Sequence, residues 1–288
     1  MEDQKKQMKI YESINEFFGR LLELRDKGKD LFLKYFQFLR KVPDHAPFNN
    51  TLVFIQNPQC GYYATAKQWL KRFNRTIKKD VRPMVILFPF GPVEFVYDVN
   101  DTEGEEITDE KILFWWRENG GTLDGKIMEN TYLNLKKIGV DFKHIDVRKY
   151  FEKVRYRTAG FAQRTLSNNE VSITLHPRYD GKDVESYGVL CHEIAHILLG
   201  HLGRKSIHKQ QKEKIIASDR SGIPINIQEL EAELVAWIVF SSLGIEKNSE
   251  SYMASWLISE RDFINIGMCD VLRVAGKIQE MGERKNVF

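Results

Sequence analysis

The sequence predicts an α+β protein in two parts, and three observations carry that prediction. Apolar residues recur at helical spacing over residues 8–41 and again over 184–199 and 227–240. Between these segments, Pro83-Met-Val-Ile-Leu-Phe-Pro-Phe90 and Val93-Glu-Phe-Val-Tyr97 read as two strands of a hairpin around Gly91-Pro92. Residues 100–110 hold six acids and no base, which reads as a linker. The expected division is a helical and β-hairpin domain over 1–105 and a mainly helical domain over 106–288.

The elements follow from the punctuation of the chain. Ile10, Ile14, Phe17, Phe18, Leu21 and Leu24, then Leu31, Phe32, Tyr35, Phe38 and Leu39, line helical faces that Gly28 separates. Pro43 to Pro47 ends this section. Thr65 with Gln68 three residues later is a capping box, so a helix starts at Thr65. A helix over 109–118 is followed by the loop Asn119-Gly-Gly-Thr-Leu-Asp-Gly125 and by a helix over 124–139 bearing Leu133, Leu135 and Ile138. Val184, Tyr187, Leu190, Cys191, Ile194, Ala195 and Leu198 define the next helix, with Asp180-Gly181 as a turn before it, Asp183 as its N-cap and Gly200 as its stop. Leu230, Leu234, Trp237 and Ile238 define the following one. No internal repeat and no low-complexity tract interrupts this order.

Composition bounds the function. A chain of 288 residues, 42% hydrophobic and 29% charged, is that of an ordinary globular protein. A net charge of +3 does not by itself call for a polyanionic partner. The three cysteines, Cys60, Cys191 and Cys269, are far apart and odd in number, which points to a reducing compartment and no disulfide framework. The N-terminus carries no signal-peptide pattern and no apolar run reaches membrane length, so the expectation is a cytoplasmic chain without a membrane partner.

The sharpest motif is His192-Glu193-x-x-His196, inside an apolar helix. Residues four apart share a helix face, so two imidazoles there can grip one metal ion with Glu193 beside it as a general base. Burying two histidines and a glutamate without partners is costly, which weighs against a purely structural role. The metal needs a third ligand. The spacing H-E-x-x-H-x-x-G-x-x-H does not supply it, because Leu199 and Leu202 stand at the required Gly and His positions and His201 is five residues after His196. His208 fits no better, and Cys191 belongs to the helix core. The better source is the helix over 227–240, where Glu229 and Glu233 share a face and one can bind metal while the other supports a ligand. Glu231 lies round the helix from both and reads as an acid that favours a helix N-terminus.

A second cluster lies in the first half. From Gly61 to Arg82 there are seven basic residues, Lys67, Lys71, Arg72, Arg75, Lys78, Lys79 and Arg82, against one acid, Asp80. Tyr62, Tyr63, Trp69 and Phe73 interleave with them. Basic side chains neutralise phosphates and aromatic rings offer stacking platforms to any base, a combination that suits a nucleic-acid surface. The competing reading is a solvated helix face, with Trp69 and Phe73 four apart and turned to a core.

The pairing of His192-Glu193-x-x-His196 with Glu229-Leu-Glu-Ala232-Glu233-Leu-Val-Ala236 resembles the ImmA/IrrE-type metallopeptidases. The resemblance implies a zincin-like domain in which Glu229 is the third ligand and Glu233 an outer acid supporting a ligand. Gly160-Phe-Ala-Gln163 and Glu170-Val-Ser-Ile-Thr-Leu-His176 look like the short strands that precede the active helix in that family. Tyr252-Met-Ala-Ser-Trp256-Leu and the helical stretch Asp270 to Met281 look more specifically like the ArdC group of antirestriction proteins. So do Asn49-Asn-Thr-Leu-Val-Phe-Ile-Gln56-Asn-Pro58, Thr65, Trp69, Ile77-Lys-Lys-Asp-Val-Arg-Pro-Met84 and Val96-Tyr-Asp98 to Gly104. Asp80 stands where that group usually has glycine after the two lysines, which makes the turn less basic.

The resemblance implies single-stranded DNA binding by the N-terminal domain, with Lys67, Trp69, Lys71, Arg72, Arg75, Lys78 and Lys79 as contacts. It implies Zn²⁺, with Mn²⁺ as second choice, held by His192, His196 and Glu229, and Glu193 activating water at the ion. The expected substrate is a protein, a DNA-bound regulator or a restriction component. Two alternatives stand beside this. One is an ImmA/IrrE-like regulator that cleaves a DNA-bound repressor. The other is a non-catalytic DNA-binding antirestriction protein whose metal is structural.

Overall fold

The computed structural model describes residues 34–35, 37–39, 41–42, 44–87, 93–108, 110–112, 123–142, 159–165, 170–175, 184–209, 212–245 and 266–288. The chain divides into two compact units, Met1–Thr122 with Ser241–Ile245, and Leu123–Phe240 with Glu246–Phe288. The expected helices before residue 34, the Gly91-Pro92 turn, most of the 109–118 helix and the Tyr252–Trp256 motif lie outside the described residues.

In the first unit, α1 (Pro47–Gln56) begins with proline at its first turn, where no amide hydrogen is needed. Its Asn50 and Thr51 are buried and satisfied. The Asn50 amide donates to the carbonyls of Val42 and His45, and the Thr51 hydroxyl lies 2.7 Å from the Tyr35 hydroxyl. β1 (Tyr63–Ala64) leads into α2 (Ala66–Phe73), which opens with the expected capping box. The Gln68 amide donates to the Thr65 hydroxyl at 3.2 Å and the Thr65 amide donates to the Gln68 side chain at 2.9 Å. Asn74, at φ 51°, ends α2 in the left-handed conformation that asparagine tolerates.

β3 (Met84–Leu87) and β4 (Val93–Asp98) pair antiparallel, from Met84 opposite Val96 to Leu87 opposite Val93, as the expected hairpin strands. They form a sheet of order β1-β4-β3. The outer edge of β3 is covered by two amides from α1, seven residues apart and so on one helix face. Asn49 donates to the Leu87 carbonyl and accepts from its amide; Gln56 does the same for Val85. Side chains thus satisfy an edge that would otherwise invite another strand.

The acidic stretch is not a linker throughout. A 3₁₀ turn (Val99–Asp101) runs into β5 (Thr102–Gly104), which pairs antiparallel with β2 (Arg75–Ile77). Its acids do local work. The Asp101 carboxylate accepts from the Asp98 amide, and buried Asp98 accepts from the Gly61 amide and from Asn100. An acid count reads charge, not these internal hydrogen bonds.

In the second unit, α3 (Gly125–Lys137) is capped by Asp124, whose carboxylate accepts from the Ile127 amide at 2.8 Å. A three-stranded sheet of order β6-β8-β7 follows, with β8 (Val171–Leu175) central. β6 (Val140–Phe142) runs parallel to β8, and β7 (Gly160–Arg164) antiparallel to it along an edge. α4 (Val184–Leu198) packs on β7 and β8. An antiparallel hairpin of β9 (Lys205–Lys209) and β10 (Lys212–Ala217) then leads to α5 (Ile225–Ser242). α6 (Met268–Glu283) packs on α3, and α3 closes its C-terminal end. Asn134 donates to the carbonyls of Met281 and Arg284, and Asn130 to that of Gly282, satisfying acceptors a helix end leaves open.

Most buried residues of α4 and α5 are apolar, with Ser186, Glu193, His196, Glu231, Glu233 and Ser241 the buried polar ones. Gly188 permits their close approach, because a Cβ there would meet the Phe240 ring at 3.0 Å. No described helix is long and apolar enough to cross a membrane.

Candidate metal centre

The site is built by α4 and α5. His192 and His196 are one turn apart on α4, and their Nε2 atoms lie 3.2 Å from each other. From α5, Glu229 brings Oε2 to 3.2 Å from His192 Nε2 and Oε1 to 3.5 Å from His196 Nε2. These three are the group of convergent metal-type ligands among the described residues. Zinc bonds of about 2.0–2.1 Å in a tetrahedron put neighbouring ligand atoms about 3.3–3.4 Å apart. The observed spacings bracket that value, so the residues fit a first-row metal ion.

Glu233, one turn after Glu229, lies behind the site. Its Oε2 is 3.2 Å from His192 Nδ1, which orients that ring with Nε2 toward the other ligands. Glu193 is buried at 6% exposure, and the backbone of Ala162 in the edge strand β7 lies close enough to favour its charged form.

Without an ion, the electrostatics of the cluster are those of crowded buried groups. Burial opposes the charged form of His192, but its hydrogen bonds to Glu229 and Glu233 prevail and raise it to about 9. Burial lowers His196 to about 3, and the charge of His192 adds to the effect. Burial raises Glu193 to about 7, helped by the Glu229 carboxylate and opposed by His192 and the Ala162 amide. Burial also acts to raise Glu229, but the hydrogen bond from His192 and the charges of His196 and His192 hold it below the usual carboxylate range.

These shifts set a pH dependence for the metal-free protein. His192 at about 9 lies above its ordinary 6.5, so its contribution to stability is present below 6.5 and lost as pH rises through 9. Glu193 at about 7 lies above its ordinary 4.5, so its contribution is present below 4.5 and lost as pH rises through 7. His196 at about 3 acts oppositely, stabilising above 6.5 and losing that as pH falls. The chelated protein is expected to melt at a lower temperature at pH 9 than at pH 6.5. Saturating zinc should flatten that arm, because a histidine lone pair given to an ion holds no titrating proton. Thermal melts with chelator and with zinc decide it; a chelated melting temperature that rises toward pH 9 contradicts the assignment.

Gly200 ends α4 as expected, at φ 80°. A Cβ there would fall 1.7 Å from the Ser218 carbonyl oxygen, so no other residue fits. The turn is a Schellman motif: the His201 amide donates to the His196 carbonyl at 3.0 Å and the Gly200 amide to that of Ile197 at 3.2 Å. It folds His201 back onto His196, with their Nδ1 atoms 2.9 Å apart. His201 Nε2 in turn lies 3.0 Å from Glu231 Oε2.

Glu231 is therefore not a solvated acid at a helix start. It is wholly buried, with Oε1 accepting from Arg220 at 2.6 Å and from the Gly267 amide at 2.7 Å. Sequence reading missed His201, Glu231 and Arg220 as a set because the partners come from separate segments. The one available signal was Gly200, whose left-handed turn sends the next residue back over the helix end. Tyr187 is buried with its hydroxyl 3.2 Å from that of Thr131. Cys191 is buried and forms no disulfide.

In the first unit the seven expected DNA contacts separate. Lys67, Lys71, Lys78 and Lys79 are exposed, and Lys78 donates to the Asn100 carbonyl. Arg72 is ion-paired to Asp44 at 2.9 Å and donates to the Tyr62 hydroxyl. Trp69 and Arg75 leave the contact set. Trp69 is fully buried between Tyr62 and Phe73, its indole donating to the Tyr97 carbonyl, so it offers no face to a base. Arg75 points inward from β2 and donates to the Thr102 hydroxyl and to the carbonyls of Thr102 and Glu105. The helical spacing of Trp69 and Phe73 belongs to the core.

No family model matches the chain, and no curated protein does. Two solved structures of the antirestriction protein ArdC from plasmid R388 align with it. The metal-free one is 13% identical with a TM-score of 0.41, over 95% of this chain and 97% of that one. The Mn(II)-bound one is 11% identical with a TM-score of 0.38, over 96% of this chain and 99% of that one.

Proposed function

We propose that the chain is a metal-dependent peptidase. His192, His196 and Glu229 hold the ion, and Glu193 is the general base. The observation that carries this reading is the convergence of three ligand atoms at metal-like spacing with a buried carboxyl, Glu193, on the next position of the same helix. Two imidazoles and a carboxylate suit Zn²⁺, with Mn²⁺ second. The ion supplies Lewis-acid polarisation of a carbonyl and a lowered pKa of water. Glu193 takes a proton from water and returns it to the leaving amine. Glu233 holds His192 in the tautomer that leaves Nε2 unprotonated. A site serving structure alone has no use for Glu193, which disfavours the non-catalytic alternative.

The edge position of β7 beside Glu193 supports an extended peptide as substrate, since an edge strand can pair with one. The motif resemblance to the ArdC and ImmA/IrrE groups supports an antirestriction or regulatory setting, with a DNA-bound regulator or restriction component as the protein cut. Exposing a proteome-derived peptide library to the zinc-loaded chain tests the reading. New N-termini by mass spectrometry are expected, and their absence relative to a chelated control sinks it.

Single-stranded DNA binding by the first unit is a second property we propose. Exposed Lys67, Lys71, Lys78 and Lys79, with Asp80 the lone acid among residues 61–82, support it. Neutralising Lys71, Lys78 and Lys79 together is expected to weaken binding and reduce the salt slope by up to roughly two, since each phosphate contact on a single strand contributes about 0.7. Fluorescence anisotropy across a salt series measures this. An unchanged slope rules these lysines out.

A further inference from the structure

We infer that His201 is the positioning residue for His196, relaying its orientation to the buried carboxylate of Glu231. This rests on the metal-site reading above. His192 and His196 are oriented by different means. Glu233 meets His192 Nδ1 directly, whereas His196 Nδ1 meets a second imidazole.

The relay follows from tautomer logic. To offer Nε2 to an ion, His196 must carry its proton on Nδ1. That N–H then donates across 2.9 Å to His201 Nδ1, which must be bare. His201 therefore carries its proton on Nε2 and donates across 3.0 Å to Glu231 Oε2. The opposite arrangement, with His201 donating from Nδ1, would put the His196 proton on Nε2 and close that atom to metal. Glu231 holds the far end because its other oxygen accepts from Arg220 and from the Gly267 amide.

Rigidity comes from burial and close approach. The side chains of His201 and Glu231 are both 0% exposed. A Cβ at Gly267 would lie 2.8 Å from Arg220 Nη2, so bare backbone closes the end of the chain of hydrogen bonds. The Schellman turn at Gly200 pins the His201 backbone to the His196 carbonyl, so both rings are set by the same turn. Partners that orient a metal-bound histidine govern how tightly the metal is held.

A cluster that served only to tie loops to α5 would change stability without changing metal affinity. The test is zinc affinity of the full chain by competition with a chromophoric chelator, for wild type, His192→Ala, His201→Leu and His201→Gln, with chelated thermal melts alongside. His201→Leu is expected to weaken zinc binding about 10- to 100-fold, and His201→Gln, which can still accept and donate, to stay within about threefold of wild type. If His201→Leu binds like wild type while His192→Ala does not, the relay is overturned and the metal site stands. If His192→Ala also binds like wild type, the metal site falls and the relay with it. Should His201→Leu lack a cooperative melt, ¹⁵N spectra of the zinc-loaded wild type decide. A through-hydrogen-bond coupling between His196 Nδ1 and His201 Nδ1 is expected; a His196 Nδ1 proton without it overturns the relay.

Discussion

Glu193→Gln is expected to keep the metal and to lose peptide cleavage, by about 10²- to 10⁴-fold for the removal of a general base. Glutamine has the same shape, so the positions of His192, His196 and Glu229 are expected to be undisturbed. What it cannot do is take a proton. Glu193 suits that task, since it is buried at 6% exposure and stands next to His192 on the same helix. Zinc content and the rate of peptide cleavage, measured on the same preparation, separate the two effects. A variant that cleaves as fast as wild type would remove Glu193 from the reaction. A variant that loses its zinc would mean that Glu193 holds the site together and is not a dedicated base.

Glu231→Ala carries the largest expected effect on stability. It strips the shared acceptor from His201, Arg220 and the Gly267 amide at once. Breaking a buried ion pair by removing one partner costs about 3–5 kcal/mol, because the other charge stays buried without compensation. Arg220 is 19% exposed and, among the described residues, keeps only Asp270, 3.9 Å away, as a remaining carboxylate partner. Urea unfolding of the chelated protein, which excludes any contribution from metal, measures the loss. A change below about 1 kcal/mol would place Glu231 among solvated acids, where exposed pairs contribute that little. The double variant with His201→Leu is expected to cost less than the sum of the two singles, since both act on one network.

How far the sequence could be read differs by segment. Thr65 with Gln68, Asp124 and Gly200 mark helix ends by local hydrogen bonding or by a backbone angle, and these are properties of a few neighbouring residues. The strands Met84–Leu87 and Val93–Asp98 announced themselves by β-branched and aromatic runs. Residues 102–104 did not, because Thr-Glu-Gly carries no strand pattern and its partner, Arg75–Ile77, lies in a distant part of the chain. The basic cluster over 67–82 failed in part for the same reason. Composition counts Trp69 and Arg75 with their neighbours, and only packing shows that one is core and the other an internal hydrogen-bond donor.

The sequence by itself determined the pair His192 and His196 with Glu193 between them, since four-residue spacing on a helix needs no tertiary information. It also narrowed the candidate third ligand to a face of the 227–240 helix, because Glu229 and Glu233 lie one turn apart. Only the tertiary structure decided what stands behind those ligands. His201 reaches His196 through a turn that one glycine allows, Glu231 reaches His201 from another helix, and Arg220 and Gly267 reach Glu231 from two further segments. Spacing along a chain carries only local geometry. Burial, which forces every charged group to find a partner, is a property of the assembled core, and it gave an acid that read as favouring a helix N-terminus three partners, His201, Arg220 and the Gly267 amide.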